Sequence, residues 1–241
     1  MWWSNLFTDM SPASFFNFSF LPKYAAFFIQ GIEYTLLLAV VSVLLAVIPA
    51  LLLAIMRLSK KKLVKGISGA YIAIFRSTPL LVQLSIIYFG LFGAITIPRI
   101  TVLGFVDISR FIPGVVALAL NSSAYVAEIF RGGILAVDIG QTEASRSLGL
   151  SAWSTMRLVV LPQAIKNVLP ALANEIITMV KESSICSMLG MVELMFAAKT
   201  VASTTYISLG PYVVAAVIYG AKRLGILRMN EAKRSEEHTS E

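Results

Sequence analysis

The sequence predicts an all-α integral membrane protein of about five transmembrane helices. Hydrophobic residues make up 57% of the 241 and charged residues only 14%, where soluble domains carry about a quarter charged. Long windows are almost free of charge: residues 34–56 hold none, 69–97 only Arg76, and 111–130 only Glu128. Each approaches or exceeds the ~20 apolar residues that cross a bilayer as helix. The alternation of barrel strands is absent, and a helix satisfies its own backbone in lipid.

The first 23 residues are aromatic, with Trp2, Trp3, Phe7, Phe15, Phe16, Phe18 and Phe20. Rings of this kind favour the headgroup level, so residues 1–23 read as an extracytoplasmic interfacial segment. Span one follows. It starts too late and runs too long for a cleaved signal peptide. Glu33 marks its outer edge, and Pro49 is a candidate kink. Span two contains Arg76-Ser-Thr-Pro79, in which the proline frees a backbone carbonyl and Ser77 and Thr78 can satisfy local polar groups; Arg76 is placed near the cytoplasmic end, within snorkelling reach of water. Residues 93–110 form a short external connection with β-like character. Span three carries Glu128 and Arg131, three apart and able to pair on one helix face.

Residues 138–162 form a polar helix-turn-helix between apolar spans. Asp138 with Gln141 reads as a capping box for a helix starting near Ile139. Gly149 supplies the left-handed residue that closes it. Ser151 caps a second helix expected to end near Leu161, with a break after Pro162. Span four, residues 168–190, holds Glu175, Lys181 and Glu182, which are costly in lipid and point to function. The fifth candidate, residues 209–221, reaches only about 20 Å as helix against a ~30 Å hydrocarbon core.

Charge bias sets orientation. Arg57, Lys60, Lys61, Lys62 and Lys65 crowd the first connection without an acid, and Arg131, Arg146, Arg157 and Lys166 surround the later loop. On the opposite side, the connections between spans hold only Arg99, Arg110 and Lys199. The positive-inside rule puts the first connection, the 138–162 loop and the C-terminus in the cytoplasm and the N-terminus outside. The net charge of +7 mostly reflects that bias; nucleic-acid binding would want a basic soluble module. The single cysteine, Cys186, allows no disulfide framework, reads as a small buried hydrophobe, and leaves no metal-ligand cluster.

Several segments together resemble a known family. Glu143-Ala144-Ser145, Gly149, Val159 and Leu161-Pro162 match the "EAA" loop of bacterial ATP-binding-cassette (ABC) importers, with Ser145 in place of an alanine. Arg76-Ser-Thr-Pro-Leu-Leu-Val-Gln83, Asn121-Ser-Ser-Ala-Tyr-Val-Ala-Glu-Ile-Phe-Arg-Gly-Gly133, Leu161-Pro-Gln-Ala-Ile-Lys-Asn-Val-Leu-Pro170, Asn174-Glu-Ile176 and Lys181-Glu-Ser-Ser184 follow the family's order. The chain is similar to the permease subunit of polar amino-acid ABC importers (the histidine, arginine, glutamine and glutamate group) over residues 24–220. That resemblance implies the type I, MetI-like permease fold in the bacterial cytoplasmic membrane. It implies a dimer with a second permease copy or relative, two ATPase subunits and an extracytoplasmic amino-acid-binding protein. ATP and magnesium would bind the partner ATPase, since this chain has no phosphate loop and binds no cofactor of its own. Only lipid and protein partners are expected.

The resemblance also assigns roles. Glu143 accepts a charged hydrogen bond from the ATPase, Ala144 and Leu148 fill its groove, Gly149 sets the turn, and Ser145, Leu161 and Pro162 complete the coupling segment. Residues 221–241 are expected to be a cytoplasmic tail that departs from the family, whose last span runs ~10 residues longer. The ending Arg234–Glu241 reads like translated adapter sequence, which suggests a truncated or frame-shifted gene, and His238 within it is given no role.

A transport pathway near the midplane needs polar groups. Asn174, Glu175, Thr178, Glu182 and Ser183 supply them, and Glu175, Thr178 and Glu182 recur at helical spacing. Glu182 suits a substrate ammonium, and Ser183 or Ser184 its carboxylate. Pairing of these groups between helices is the competing reading. Against an importer stand an ion-coupled secondary amino-acid transporter, which needs no EAA loop, a membrane enzyme, for which no catalytic cluster exists, and a scaffold, which leaves Glu175, Lys181 and Glu182 unexplained.

Overall fold

A computed structural model describes residues 17–221. Helix α1 is Leu21–Leu58, α2 Lys62–Ser77, and α3 Leu80–Ser85, which continues as a π turn over Ile86–Leu91. Strands β1 (Thr101–Val102) and β2 (Val106–Asp107) precede α4, Ile108–Leu135. Two short helices follow, α5 (Ile139–Ser147) and α6 (Ala152–Thr155), and a π turn at Met156–Val160 leads into α7, Leu161–Glu182. A 3₁₀ segment, Ser183–Leu189, then α8 (Leu194–Thr205) and α9 (Gly210–Ala221) complete the chain. The segment expected to be interfacial falls mostly outside the described residues, as does the tail beyond residue 221.

Helices α1 and α4 are each long and apolar enough to span a membrane, as are two bent pairs counted whole. At ~1.5 Å per residue, the 38 residues of α1 extend to about 57 Å, more than a bilayer with its headgroups. It starts at Leu21, well before residue 34, and passes Pro49 as one helix. Span two differs from the continuous window over 69–97. Its helix begins at Lys62 and breaks after Ser77, and the continuation over Leu80–Leu91 is bent by 106°. The expected end near Leu161 also fails. The π turn at Met156–Val160 lets the helix run through Pro162 into α7, and the Gln163 side chain donates to the Val159 carbonyl at 2.9 Å. A widened turn of this kind absorbs a residue that has no amide hydrogen. The connection after span four is itself helical, so Lys199 sits within α8 rather than in a loop.

The described residues form two compact units. Residues 17–38, 97–112 and 180–221 belong to the first, whose core gathers Phe20, Phe28, Leu194, Ala197, Ala198, Val201 and Ala215. Phe20 is therefore a core residue rather than an interfacial ring, while Phe18 remains exposed. Gly31 of α1 abuts α8 so closely that a Cβ there would lie 3.0 Å from the Leu194 Cα. One turn on, the Thr35 hydroxyl accepts the Leu194 amide at 3.1 Å. The Tyr34 ring meets Phe111 edge-on at 5.8 Å. In the small antiparallel hairpin Thr101 pairs with Asp107 and Val102 with Val106. The Ser109 hydroxyl, 2.7 Å from Asp107, holds that carboxyl below the usual carboxylate range. Arg110 pairs with Asp107 at 3.7 Å and donates to the Gly190 carbonyl at 2.5 Å.

The second unit comprises residues 39–96 and 113–179. Its core is built from Ala50, Ile72, Ala124, Val126 and Ala127, flanked by Leu53, Tyr71, Phe75, Phe130 and Leu172. Small residues let helix backbones approach in lipid, where dispersion and hydrogen bonds replace the hydrophobic drive. Ser68 donates to the Leu53 carbonyl at 2.8 Å, and Tyr71 donates to the Leu120 carbonyl at 2.9 Å. Glu128 and Arg131 pair at 2.7 Å as their spacing predicts, and Arg57 reaches the same carboxylate at 3.6 Å. Arg76 stacks over the Tyr125 ring at 5.3 Å.

Candidate functional site

The 138–162 loop is built by local rules. The Asp138 carboxylate caps α5 by accepting the Gly140 amide at 2.7 Å, one residue short of the Gln141 amide that a capping box uses. At the other end Gly149 takes φ +87°. Its amide donates to the Arg146 carbonyl at 3.0 Å, and the Leu150 amide reaches back to Ser145 at 3.2 Å. Those two bonds form a Schellman motif. Arg146 locks the turn further by donating to the Leu150 carbonyl at 2.7 Å. Ser151 caps α6, accepting the Ser154 amide at 3.1 Å.

This geometry presents Glu143, Ala144, Leu148 and Gly149 outward, with Leu148 83% exposed. Leu161 and Pro162 are exposed as well. Ser145 is different. It is buried, and its hydroxyl donates to the Gln141 carbonyl at 2.6 Å. It faces its own chain, so its departure from alanine leaves the outer face untouched. Spacing alone missed further exposed apolar residues of this loop, among them Ile139 and Trp153, at 73% and 72%.

The polar residues of α7 divide. Glu175 is buried and accepts from the Ser122 hydroxyl of α4 at 2.8 Å, the interhelical pairing that competes with a pathway role. Asn174 is exposed, and the half-buried Thr178 donates to the Asn174 carbonyl at 3.1 Å. Glu182 is half-buried next to the exposed Lys181. Ser183 is buried and donates to the Val180 carbonyl at 2.8 Å, which commits the proton that a substrate carboxylate would need. Cys186 is buried, as its hydrophobic reading expects.

Residues 42–224 match the family described as the binding-protein-dependent transport system inner membrane component. The chain belongs to that family. The permease is 42% identical over 200 residues to a Rickettsia typhi protein provisionally named glutamine transport system permease protein GlnP, covering 83% of this chain and 87% of the relative. It is also 42% identical over 193 residues to the arginine transport system permease protein ArtQ of Bacillus subtilis, covering 80% and 84%. The crystal structure of an amino acid ABC transporter with histidines aligns at TM-score 0.82 and 43% identity, over 91% of this chain and 98% of that one. The MetNI methionine ABC transporter, at 18% identity, shares the fold with TM-score 0.66 over 87% and 97%.

Two polar clusters of the permease were not found by sequence reasoning. Pro79 has no amide to offer the Phe75 carbonyl, and the carboxamide of Gln83 replaces it at 2.8 Å. The same nitrogen reaches the Thr78 carbonyl at 2.9 Å and its hydroxyl at 2.7 Å, while Asn121 of α4 donates to the Gln83 oxygen at 2.8 Å. Without this clamp the break would leave carbonyls unpaired in hydrocarbon, at several kcal/mol each. The second cluster centres on Glu193, fully buried at the N-terminus of α8. Its carboxylate accepts the amides of Met195 and Phe196 at 2.8 and 2.7 Å and the Tyr219 hydroxyl at 2.8 Å. Glutamate is an uncommon N-cap, so the usual helix-start residues gave no signal.

Proposed function

We propose that this chain is the transmembrane permease subunit of an ATP-driven importer of polar amino acids in the bacterial inner membrane. The observation that carries this reading is the exposed face of α5, with Glu143, Ala144, Leu148 and Gly149 held outward by the Schellman turn, in a chain of the binding-protein-dependent family. Relatives named for glutamine, arginine and nopaline transport support polar amino acids as the substrate class. In this reading α5 docks in a groove of a separate ATPase, and Glu143 anchors it with a charge-assisted hydrogen bond. Ile139 and Trp153 extend the apolar contact. Closure of the ATPases on ATP turns α5 as a rigid body, and that rotation passes through the continuous α6–α7 helix toward Glu182. A second permease subunit completes the pathway, an extracytoplasmic binding protein delivers the amino acid, and the loop and C-terminus face the cytoplasm.

Proteoliposomes containing the permease, the ATPase and the binding protein should accumulate amino acid only with ATP inside. Uptake by the permease alone on a proton or sodium gradient would favour the secondary-transporter alternative.

Within α7, Glu182 is the residue best suited to meet a substrate ammonium, being only half-buried where Glu175 is committed to Ser122. Glu182→Gln keeps shape and hydrogen bonding but removes the charge. Uptake should fall at least about tenfold, the loss of one charged hydrogen bond of ~1.5–3 kcal/mol, with assembly and basal ATP hydrolysis intact. Parental uptake by well-assembled Glu182→Gln complexes would remove Glu182 from the pathway.

A further inference from the structure

We propose that the turn joining α1 to α2 is a binding surface for the headgroups of anionic phospholipids. Lys60, Lys61, Lys62 and Lys65 are all exposed there. The stretch from Arg57 to Arg76 contains no acid. The nearby Glu128 is already taken by Arg131 at 2.7 Å and Arg57 at 3.6 Å. Among the described residues none of the four lysines makes an ion pair. Four ammonium groups thus crowd a short turn with no counter-charge among the described residues.

The surroundings say what supplies it. On α1, Ile48, Leu52 and Ile55 are exposed at 70%, 58% and 58%, in steps of four and three residues that make one stripe. On α2, Leu63 and Ile67 are exposed at 77% and 56%, again one turn apart. These stripes descend to the turn from both sides, and Ser68 donating to the Leu53 carbonyl at 2.8 Å ties the two helices together just above it. Side chains this apolar belong in hydrocarbon, so the lysines between them stand at the boundary where lipid phosphates lie. Their aliphatic stems extend along the apolar surface and the ammonium groups sit among headgroups. Basic clusters in this position are drawn to anionic leaflets through the phosphate layer. A soluble acidic protein would first have to displace lipid from Ile55, Leu63 and Ile67, which argues against it as occupant. The inference does not depend on the transport reading or on which side of the membrane the turn faces.

The test uses the full-length permease, with phosphatidylglycerol and phosphatidylcholine of identical acyl chains as probes. Native mass spectrometry of the detergent-solubilised protein should show phosphatidylglycerol retained at least about tenfold over phosphatidylcholine, from four lysines each worth several-fold at a charged surface. Replacing Lys60, Lys61, Lys62 and Lys65 together with Gln should abolish that preference, replacing them with Arg should keep it, and removing the charges of Arg157 and Lys166 instead should leave it unchanged. An unaltered preference in the Gln variant overturns the proposal, as does equal loss in the Arg157 and Lys166 variant. Loss of ATPase co-purification with lipid preference retained would assign the turn to an acidic protein surface and equally overturn it.

Discussion

Glu143→Lys is expected to yield a folded permease that no longer carries its ATPase through purification. Glu143 is exposed, and among the described residues its carboxylate makes no ion pair, so reversing its charge should cost the fold no more than about 0.5 kcal/mol. The interface bears the effect. Losing a charge-assisted bond and introducing a like charge costs about 2–5 kcal/mol at a desolvated contact, so ATP-dependent uptake should fall roughly thirtyfold or more. Gly149→Val tests the same face through geometry. A β-branched residue at φ +87° is strained by about 1–3 kcal/mol, enough to open the Leu150–Ser145 bond and let α5 lose its set. Both variants should run as monodisperse membrane protein in gel filtration while ATPase co-purification and uptake collapse. Normal co-purification of the ATPase with Glu143→Lys would sink the assignment.

What the sequence made legible follows the range of the interactions. Gly149 and Ser151 act within four residues of their partners, and both stand as their local rules require. Asp138 caps α5 too, though through Gly140 rather than Gln141, because the choice between adjacent amides turns on a fraction of a rotamer. The prolines show where local rules end. Pro79 and Pro162 both lack an amide, yet one sits at a sharp break and the other inside a continuous helix. The difference lies in how the freed carbonyls are satisfied: by Gln83 and Asn121 in the first case, and by a π turn with Gln163 in the second. Asn121 is 38 residues from Gln83, a pairing no window of sequence reveals. Facing is equally tertiary. The spacing of Glu175, Thr178 and Glu182 places them along one side of a helix, but burial of Glu175 against Ser122 separates a packing carboxylate from the half-buried Glu182. Ser145 carries the same lesson in the loop, where a motif residue turns inward.

Glu193→Ala should be the most destabilising single change in the first unit. Removing the carboxylate leaves the amides of Met195 and Phe196 and the Tyr219 hydroxyl without the acceptor each now has at 2.7–2.8 Å. A buried donor left unpaired costs about 1–3 kcal/mol, and the vacated volume adds a cavity term. The two amides belong to the first turn of α8, so the helix also loses its cap, and Thr35 is left as the remaining side-chain acceptor there, through the Leu194 amide. A loss on the order of 3–6 kcal/mol corresponds to a thermal midpoint lowered by roughly 6–24 °C for a chain of this size. The graded variants separate this account from a general intolerance of the site. Glu193→Gln keeps the volume and one acceptor oxygen and should fall between parent and alanine. Tyr219→Phe removes only one donor, leaves both amides capped, and should cost least. Thermal unfolding of the solubilised permease, followed by fluorescence-detected gel filtration, reads the order directly. An alanine variant within about 2 °C of the parent, or a Tyr219→Phe variant less stable than the alanine variant, would mean that the buried carboxylate is not what holds the start of α8.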